Sequence, residues 1–491
     1  MQDADVISIP QFEEIAKKSV KGLFALVSRT FFIQILSVVA SFILTVYLSP
    51  ESFGVFFVVS AVVVFLNYFQ DIGLAASLIQ KKEEPTKTEL RTTFTMQQIL
   101  VLGITVPVAV FAPQIAAFYK LDSAGLVLLY ALLFSFLASS LKTIPTVLLE
   151  RSLNFHKLVV PQIVESLAYN LCLIVFAISG FGVASFTFAV LARSILGLIV
   201  IYWIQKWPIG LALDGASLKK LLSFGVPFQA NSLLALLKDD LFNIYIAKML
   251  PLAQVGFIGF GQKWAFLPMR LFMDNIIKIT FPSFSRLQND KEGLRKAIEK
   301  TLFLIAVCIF PTVVVIIFFS QSLVSFIPRY QKWEPAVTSL MFFSASTILS
   351  SLSTPLTNIL NAIGKVKITL YFMIMWTVLT WTVTPLFIYL YGYNGVGYAS
   401  LVISFSSVTV FFVARKYVEF SFIKPIFPAV IAAIVMGLIT YSTYGFVNSF
   451  LALVLDMFFS MLIYFVMLYV LARSEIHKTL RFVLLSIKKE K

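Results

Sequence analysis

Charge is scarce in this chain: Asp, Glu, Lys and Arg make up 13% of its 491 residues, about half the roughly 25% of an ordinary globular protein. Water is not the solvent such a composition is built for, which excludes a soluble enzyme or regulator. Cysteine and histidine are scarcer still, with two of each. Cys172 and Cys308 both fall in apolar runs, so neither a disulfide framework nor a thiolate metal site is supported. His156 and His477 lie in basic segments without a ligand set around them. There is no Gly-rich phosphate loop and no long polar segment that could house a catalytic domain. No cofactor, metal or covalent chemistry is expected.

Hydrophobic residues are in excess, at 59% with a mean hydropathy of +0.91. They fall in successive runs separated by short polar joints, and a bilayer core of about 30 Å takes about 20 apolar residues per helix. This predicts an all-α polytopic membrane protein with about fourteen transmembrane helices. The expected spans are 30–49, 53–72, 92–112, 124–145, 159–179, 183–204, 226–248, 255–280, 301–320, 336–359, 368–391, 395–414, 427–445 and 450–472. They organise the chain into an amphipathic N-terminal segment (1–29), a first six-helix lobe (30–205), a linker (206–225), a second six-helix lobe (226–414), two additional helices (415–472) and a basic tail (473–491).

The formal net charge of +15 would suggest nucleic acid in a soluble protein. Here topology explains it. With the N-terminus inside, the outer loops hold Lys120, Lys248, Arg329 and Lys332, and Lys142, Arg193, Lys238, Lys263, Arg270 and Lys278 lie within or at the ends of helices. The rest of the 39 Lys and Arg fall on the inner side, which places both termini in the cytoplasm and the excess charge beside anionic headgroups. The first segment carries acids and runs into a helix too long for a cleavable signal, so it is expected to stay attached.

A weak internal repeat supports two lobes, the arrangement in which transporters hold their substrate between duplicated bundles. LSPESFGVF (48–56) matches LPLAQVGFI (250–258), setting Gly54 against Gly256. Pro145 matches Pro355, and GFGVAS (180–185) matches YNGVGY (393–398), setting Gly182 against Gly395. The offsets of 202, 210 and 213 residues map helices one to six onto seven to twelve.

An ionised side chain at the bilayer centre costs at least about 2.5–3.5 kcal/mol, so it usually faces a wet cavity or an opposite charge. Such residues concentrate in helices seven and eight. Lys238, Asp239 and Asp240 lie mid-helix in the seventh, and at 100° per residue Lys263, Arg270, Asp274 and Lys278 form one polar stripe down the eighth. Asp240 and Arg270 fall at similar depth and are expected to be able to pair. In the first half the candidates are Asp71, Glu165 and Arg193, with Lys142 at the inner end of helix four. For each, the alternative is a static ion pair that locks helices together. The stripe is expected to line a central cavity, where Arg270, Lys263, Lys278 and Arg193 attract a phosphate-bearing substrate while Asp240, Asp239, Asp274, Glu165, Lys238 and Asp71 balance, gate or couple that charge.

LLERSLNFHKLVVPQIVES (148–166) with GFGVAS (180–185), LSPESFG (48–54) with DIGLAASLIQ (71–80), and LLSFGVPFQANSLL (221–234) followed by FPSFSRLQND (281–290) together resemble the bacterial polysaccharide-transport, or Wzx-type, flippases. These belong to the multidrug/oligosaccharidyl-lipid/polysaccharide exporter superfamily. The resemblance spans about 30 to 470 and lies in the order of the motifs, which are mostly turn and cap residues. It implies two six-helix bundles facing a cavity plus two extra helices, in the bacterial inner membrane. It also implies carriage of undecaprenyl-pyrophosphate-linked oligosaccharide to the outer leaflet by alternating access, by a monomeric chain coupled to a proton or sodium gradient or to neither. Asp240 is similar to an acidic position often found in helix seven of the family; the run Lys238, Asp239, Asp240 leaves open which acid is equivalent. The competing readings are a drug/cation antiporter, a peptidoglycan-precursor flippase and a membrane-bound glycan polymerase or ligase. Three bases to one acid in helix eight favour an anion over a cation, and the short outer loops disfavour the enzyme.

Overall fold

The structure is a computed structural model that describes residues 32–81, 83–152, 154–230, 236–288 and 290–489. The expected N-terminal segment 1–29 lies outside them. Among the described residues there is no β-strand. This follows from the solvent: hydrocarbon offers no partner to a backbone N–H or C=O, and a helix satisfies both within itself.

By packing, the chain forms two compact units, Met1–Gly256 and Phe257–Lys491. The first contains α1 (Phe32–Tyr47), α2 (Pro50–Asn67), α3 (Leu74–Gln80), α4 (Lys87–Val110), α5 (Ala112–Phe118), α6 (Ser123–Leu141), α7 (Thr143–Arg151), α8 (Phe155–Ile178), α9 (Ala184–Ile204), α10 (Gly215–Ala230) and α11 (Leu241–Met249). Helix α12 (Leu252–Ala265) runs across the division. The second unit continues with α13 (Asp274–Arg286), α14 (Lys291–Phe326), α15 (Glu334–Ala362), α16 (Val366–Tyr391), α17 (Asn394–Phe405), α18 (Val408–Arg415), α19 (Ile423–Thr443) and α20 (Phe450–Lys489). Helices α10 and α11, assigned from the repeat to the linker and second lobe, pack against α3, α4 and α2 of the first unit.

Local sequence sets the helix starts. Ser49 accepts from the Ser52 N–H with Pro50 at the first helical position, and Thr86 and Glu89 form a reciprocal capping box. Asp122 and Asp290 accept from the N–H groups of Gly125 and Gly293. Each cap satisfies an N–H that the helix leaves without a partner. Outside the spans, Asp214 caps the start of α10 by accepting from the Ser217 N–H at 2.8 Å, and the Ser217 hydroxyl together with that N–H holds its carboxyl below the ordinary aspartate range.

Eleven helical segments among the described residues are long and apolar enough to cross a bilayer. The other three expected spans depart from that pattern. Helix α1 is a shorter apolar helix whose start meets the undescribed residues. Spans seven and eight, expected as continuous helices, are interrupted: π-helical turns occupy Leu236–Asp240 before α11 and Met269–Met273 before α13. The span expected at 395–414 is two helices, α17 and α18, joined through Ser406 and Ser407. Helix α20 kinks at Ala472, where the last span was expected to end, and continues to Lys489.

In the second unit, Phe284, Leu302, Ile309, Leu356, Val410, Ala429 and Tyr464 pack into one core from α13, α14, α15, α18, α19 and α20. The two extra helices α19 and α20 pack on each other and on α14. Helix α15 carries buried Ser339, Ser344, Ser346, Thr347, Ser351 and Ser353. Small residues of this kind let membrane helices approach closely, and Ser346 accepts a hydrogen bond from Ser400 of α17 at 3.1 Å.

The repeat-related glycines of the LSPESFG and LPLAQVG turns meet each other's helices. A Cβ on Gly54 would stand 1.8 Å from the Leu252 carbonyl oxygen, and one on Gly256 would stand 1.9 Å from that of Pro50. Helices α2 and α12 therefore cross backbone to backbone through reciprocal contacts. Since neither obstacle is a flexible side chain, Gly54→Ala and Gly256→Ala are each expected to force the crossing apart and destabilise the protein by about 1–3 kcal/mol, the usual range of an overpacked site. Thermal unfolding in detergent measures this, with Gly103→Ala, where a Cβ meets open space, expected to stay at the wild-type value.

Candidate functional site

Two groups of charge stand out, one gathered around Glu165 and one set in interrupted helices. The first joins three residues of the first unit that the sequence presented as separate candidates. The Lys142 ammonium, at the joint between α6 and α7, lies 2.6 Å from Glu165 Oε1 of α8. Arg193 Nε of α9 lies 3.7 Å from Glu165 Oε2, and its guanidinium stands over the Tyr169 ring at 5.9 Å. Glu165 and Tyr169, and likewise Arg193 and Gly197, are one helical turn apart and so share a face. Gly197 provides the space: a Cβ there would stand 2.1 Å from Glu165 Oε1.

Exposure separates the roles within this cluster. The Glu165 and Lys142 side chains are 13% and 18% exposed, whereas that of Arg193 is 55% exposed. Lys142 and Glu165 form a tight, largely enclosed pair, while Arg193 holds the carboxylate more loosely and keeps much of its five-donor guanidinium accessible.

The second group occupies the π-turns. Lys238, Asp239 and Asp240 all lie in Leu236–Asp240, and Arg270 lies in Met269–Met273. π-turns are rare and recur at functional sites, because the wider turn frees backbone groups and redirects side chains. Lys238, Asp240 and Lys263 are half-buried and Arg270 is exposed. The side chains of Asp239, Asp274 and Lys278 lie outside the described residues. The stripe expected on helix eight needs correction in its geometry: it assumed 100° per residue throughout, but Phe266 is a turn and the π-turn winds more slowly, so that spacing does not carry from Lys263 to Asp274.

Asp71 has a local partner. Its carboxylate accepts from the Ala75 N–H at 2.9 and 3.2 Å at the start of α3, following a turn in which Ile72 and Gly73 both take positive φ.

Residues that charge counting missed are neutral or lie at helix ends. Gln97 donates to Thr143 at 2.8 Å, Gln98 to Ser140 at 3.1 Å and Ser139 to Gln70 at 3.2 Å, a polar seam linking α4, α6, α7 and the end of α2. Amides and hydroxyls do not stand out among apolar runs, though the adjacent Gln97 and Gln98 in one half-span would have signalled it. Arg151, within the LLERSLNF motif, donates to the backbone carbonyls of Leu78, Lys81 and Glu83 and clamps the end of α3. Lys81 beside it bonds Glu89 at 2.8 Å, and that carboxylate holds its ammonium above the ordinary lysine range. Asp456 of α20 accepts from Thr443 of α19 at 2.8 Å and was not singled out from the sequence.

A helical bundle with eleven apolar spans among its described residues, and charges set in interrupted helices, has the build of a membrane transporter. Its fold is similar to that of the lipid II flippase MurJ in an inward closed conformation, with a TM-score of 0.76 at 16% identity over 92% of this chain and 100% of that one. It is also similar to an inward-facing multidrug resistance MATE transporter of the MOP superfamily, with a TM-score of 0.60 at 16% identity over 78% and 94%. The chain belongs to the family described as polysaccharide biosynthesis protein, whose pattern matches residues 43–338. Its relatives include the lipopolysaccharide biosynthesis protein WzxC of Escherichia coli K12, 25% identical over 372 residues and 74% of each chain. The succinoglycan biosynthesis transport protein ExoT of Rhizobium meliloti is 22% identical over 257 residues, 52% of this chain and 51% of that one.

Removing Glu165 leaves Lys142 without its close partner. Glu165→Ala is expected to cost more than the about 1 kcal/mol of an exposed pair and less than the about 3–5 kcal/mol of a fully buried one. Glu165→Leu combined with Lys142→Met is expected to recover part of that loss, read as melting temperature in detergent.

Proposed function

We propose that this protein is a flippase that moves undecaprenyl-pyrophosphate-linked oligosaccharide from the cytoplasmic to the outer leaflet of the bacterial inner membrane, for cell-surface polysaccharide synthesis. The observation that carries this reading is the placement of Lys238, Asp239, Asp240 and Arg270 in π-turns within the seventh and eighth expected spans. Broken helices at membrane depth are where transporters build binding sites, because freed backbone groups and charged side chains are tolerated there only beside protein or water. Membership of the polysaccharide biosynthesis family, with WzxC and ExoT among the relatives, supports a lipid-linked glycan as the cargo. The MurJ likeness bears on the fold and leaves the cargo to those relatives.

The physical task is to shield a glycan and a pyrophosphate from hydrocarbon while the isoprenoid tail stays in lipid. In this reading Arg270, Lys263, Lys278 and Arg193 draw the pyrophosphate. Arginine suits the role because its planar fork meets two phosphate oxygens at once. The acids Asp240, Asp239, Asp274 and Glu165, with Lys238, balance that charge so that the site neither repels nor traps its cargo. Asp71 has a smaller part, since its carboxylate is engaged at the start of α3. Alternating access then follows from cargo or a coupling proton or sodium ion binding one state better than the other, the only way a ligand shifts such an equilibrium. Both termini lie in the cytoplasm and one chain suffices for the cycle.

Arg270→Ala is expected to slow translocation about 10- to 100-fold, as loss of charge-assisted hydrogen bonds worth about 1.5–3 kcal/mol implies. Arg270→Lys should keep part of the rate. The measurement is lipid-linked oligosaccharide accumulating in the inner leaflet of cells that carry only the variant; wild-type export by both would remove Arg270 from the mechanism. Vesicles with the proton or sodium gradient separately dissipated identify the coupling ion, and indifference to both marks a passive carrier.

A further inference from the structure

A groove of about 750 Å³ in the second unit takes no part in the mechanism above. It is bounded by the start of α14, the middle of α15, the end of α18 and the link into α19. Phe411, Phe412, Phe420 and Phe422 give it an aromatic wall, with the Phe411 and Phe422 rings 3.8 Å apart between centroids. Its polar side holds Arg295, Arg415 and Glu419.

These charges are arranged unlike an ordinary surface pair. Arg295 gives its Nε to Glu299 at 3.2 Å, and the same carboxylate oxygen accepts from the Ser421 N–H at 2.8 Å, which ties the link to α14. That engagement leaves the two terminal nitrogens of the Arg295 guanidinium available. Arg415 and Glu419 are four residues apart and both line the groove, yet among the described residues neither joins an ion pair. At the mouth, Phe412 and Ile423 are each 68% exposed.

We propose that this groove binds a membrane phospholipid with a zwitterionic, amine-bearing headgroup. The phosphate sits on Arg415 and the terminal nitrogens of Arg295, and the ammonium is directed to Glu419. The first acyl carbons lie along Phe412 and Ile423. Charge decides among lipids: Glu299 already neutralises Arg295, so the groove carries one further positive and one further negative group held apart. A separated plus and minus match a dipolar headgroup, whereas an anionic headgroup would meet Glu419 with nothing to offset the repulsion. The volume lies within the about 300–1,000 Å³ of small-ligand sites, and an aromatic wall beside an arginine suits the boundary between headgroup and chain. A lipid held there bridges α14, α18 and α19, so it would brace the two extra helices against the rest of the unit.

The test is native mass spectrometry of the full chain in detergent, offered phosphatidylethanolamine, phosphatidylglycerol and free phosphoethanolamine. Wild type is expected to retain phosphatidylethanolamine over phosphatidylglycerol. Arg415→Ala is expected to weaken that retention about tenfold, the loss of one charge-assisted contact, and Glu419→Gln to erase the preference while phosphatidylglycerol binding holds or rises. Lys416→Ala, outside the groove, should behave as wild type, and melting temperatures check that each variant is folded. Equal retention of the two lipids by wild type would overturn the proposal. So would unchanged retention in Arg415→Ala, an equal loss in Lys416→Ala, or displacement of the lipid by free phosphoethanolamine at matching concentration.

Discussion

Hydrocarbon cannot hydrogen-bond, and most of this molecule follows from that. Each backbone polar group must find its partner within its own segment, so the spans are helices. Side chains then divide by cost. Apolar ones can face lipid at no penalty, which lets α16 and α20 expose residues such as Tyr371, Phe458 and Val470. Small ones allow helices to touch, as at Gly54, Gly256 and the serines of α15. A charge has to be matched by a partner or placed where the helix itself opens.

Both solutions are present, and they serve different ends. At Glu165, two cations from neighbouring helices and a glycine notch accommodate one carboxylate. The arrangement fixes α6, α8 and α9 with respect to one another. At Leu236–Asp240 and Met269–Met273 the helix widens instead. Arg193 lies between these cases, in contact with Glu165 but more than half exposed.

Much of the architecture was legible because hydrophobic runs report directly on the length of the bilayer. Eleven of the expected spans stand as long apolar helical segments among the described residues, and Gly54 and Gly256, aligned by the repeat, meet in space. The interruptions in spans seven and eight were not legible, since a π-turn depends on how the backbone is supported by its surroundings and carries no residue signature comparable to proline. The charged positions were easily found against an apolar background; their partners were not. Gln97, Gln98, Ser139 and Thr143 escaped notice because neutral polar residues are common in membrane helices and become meaningful only when two helices bring them within hydrogen-bond distance. Arg151 was visible as part of a motif, but its grip on the carbonyls ending α3 involves a segment some seventy residues earlier.

The sequence by itself determined the solvent, the helical class, the caps at Ser49, Thr86, Asp122 and Asp290 and the scarcity of intramembrane charge, because these depend on composition, on neighbours within a turn or on the thickness of a membrane. Only the tertiary structure decided that Lys142, Glu165 and Arg193 form one cluster, that Lys238, Asp239, Asp240 and Arg270 sit in widened turns, and that Arg295, Arg415 and Glu419 rim a common groove. These outcomes rest on distances between helices far apart in the chain, and a charge reveals in the sequence what it costs to bury but not which distant group repays it.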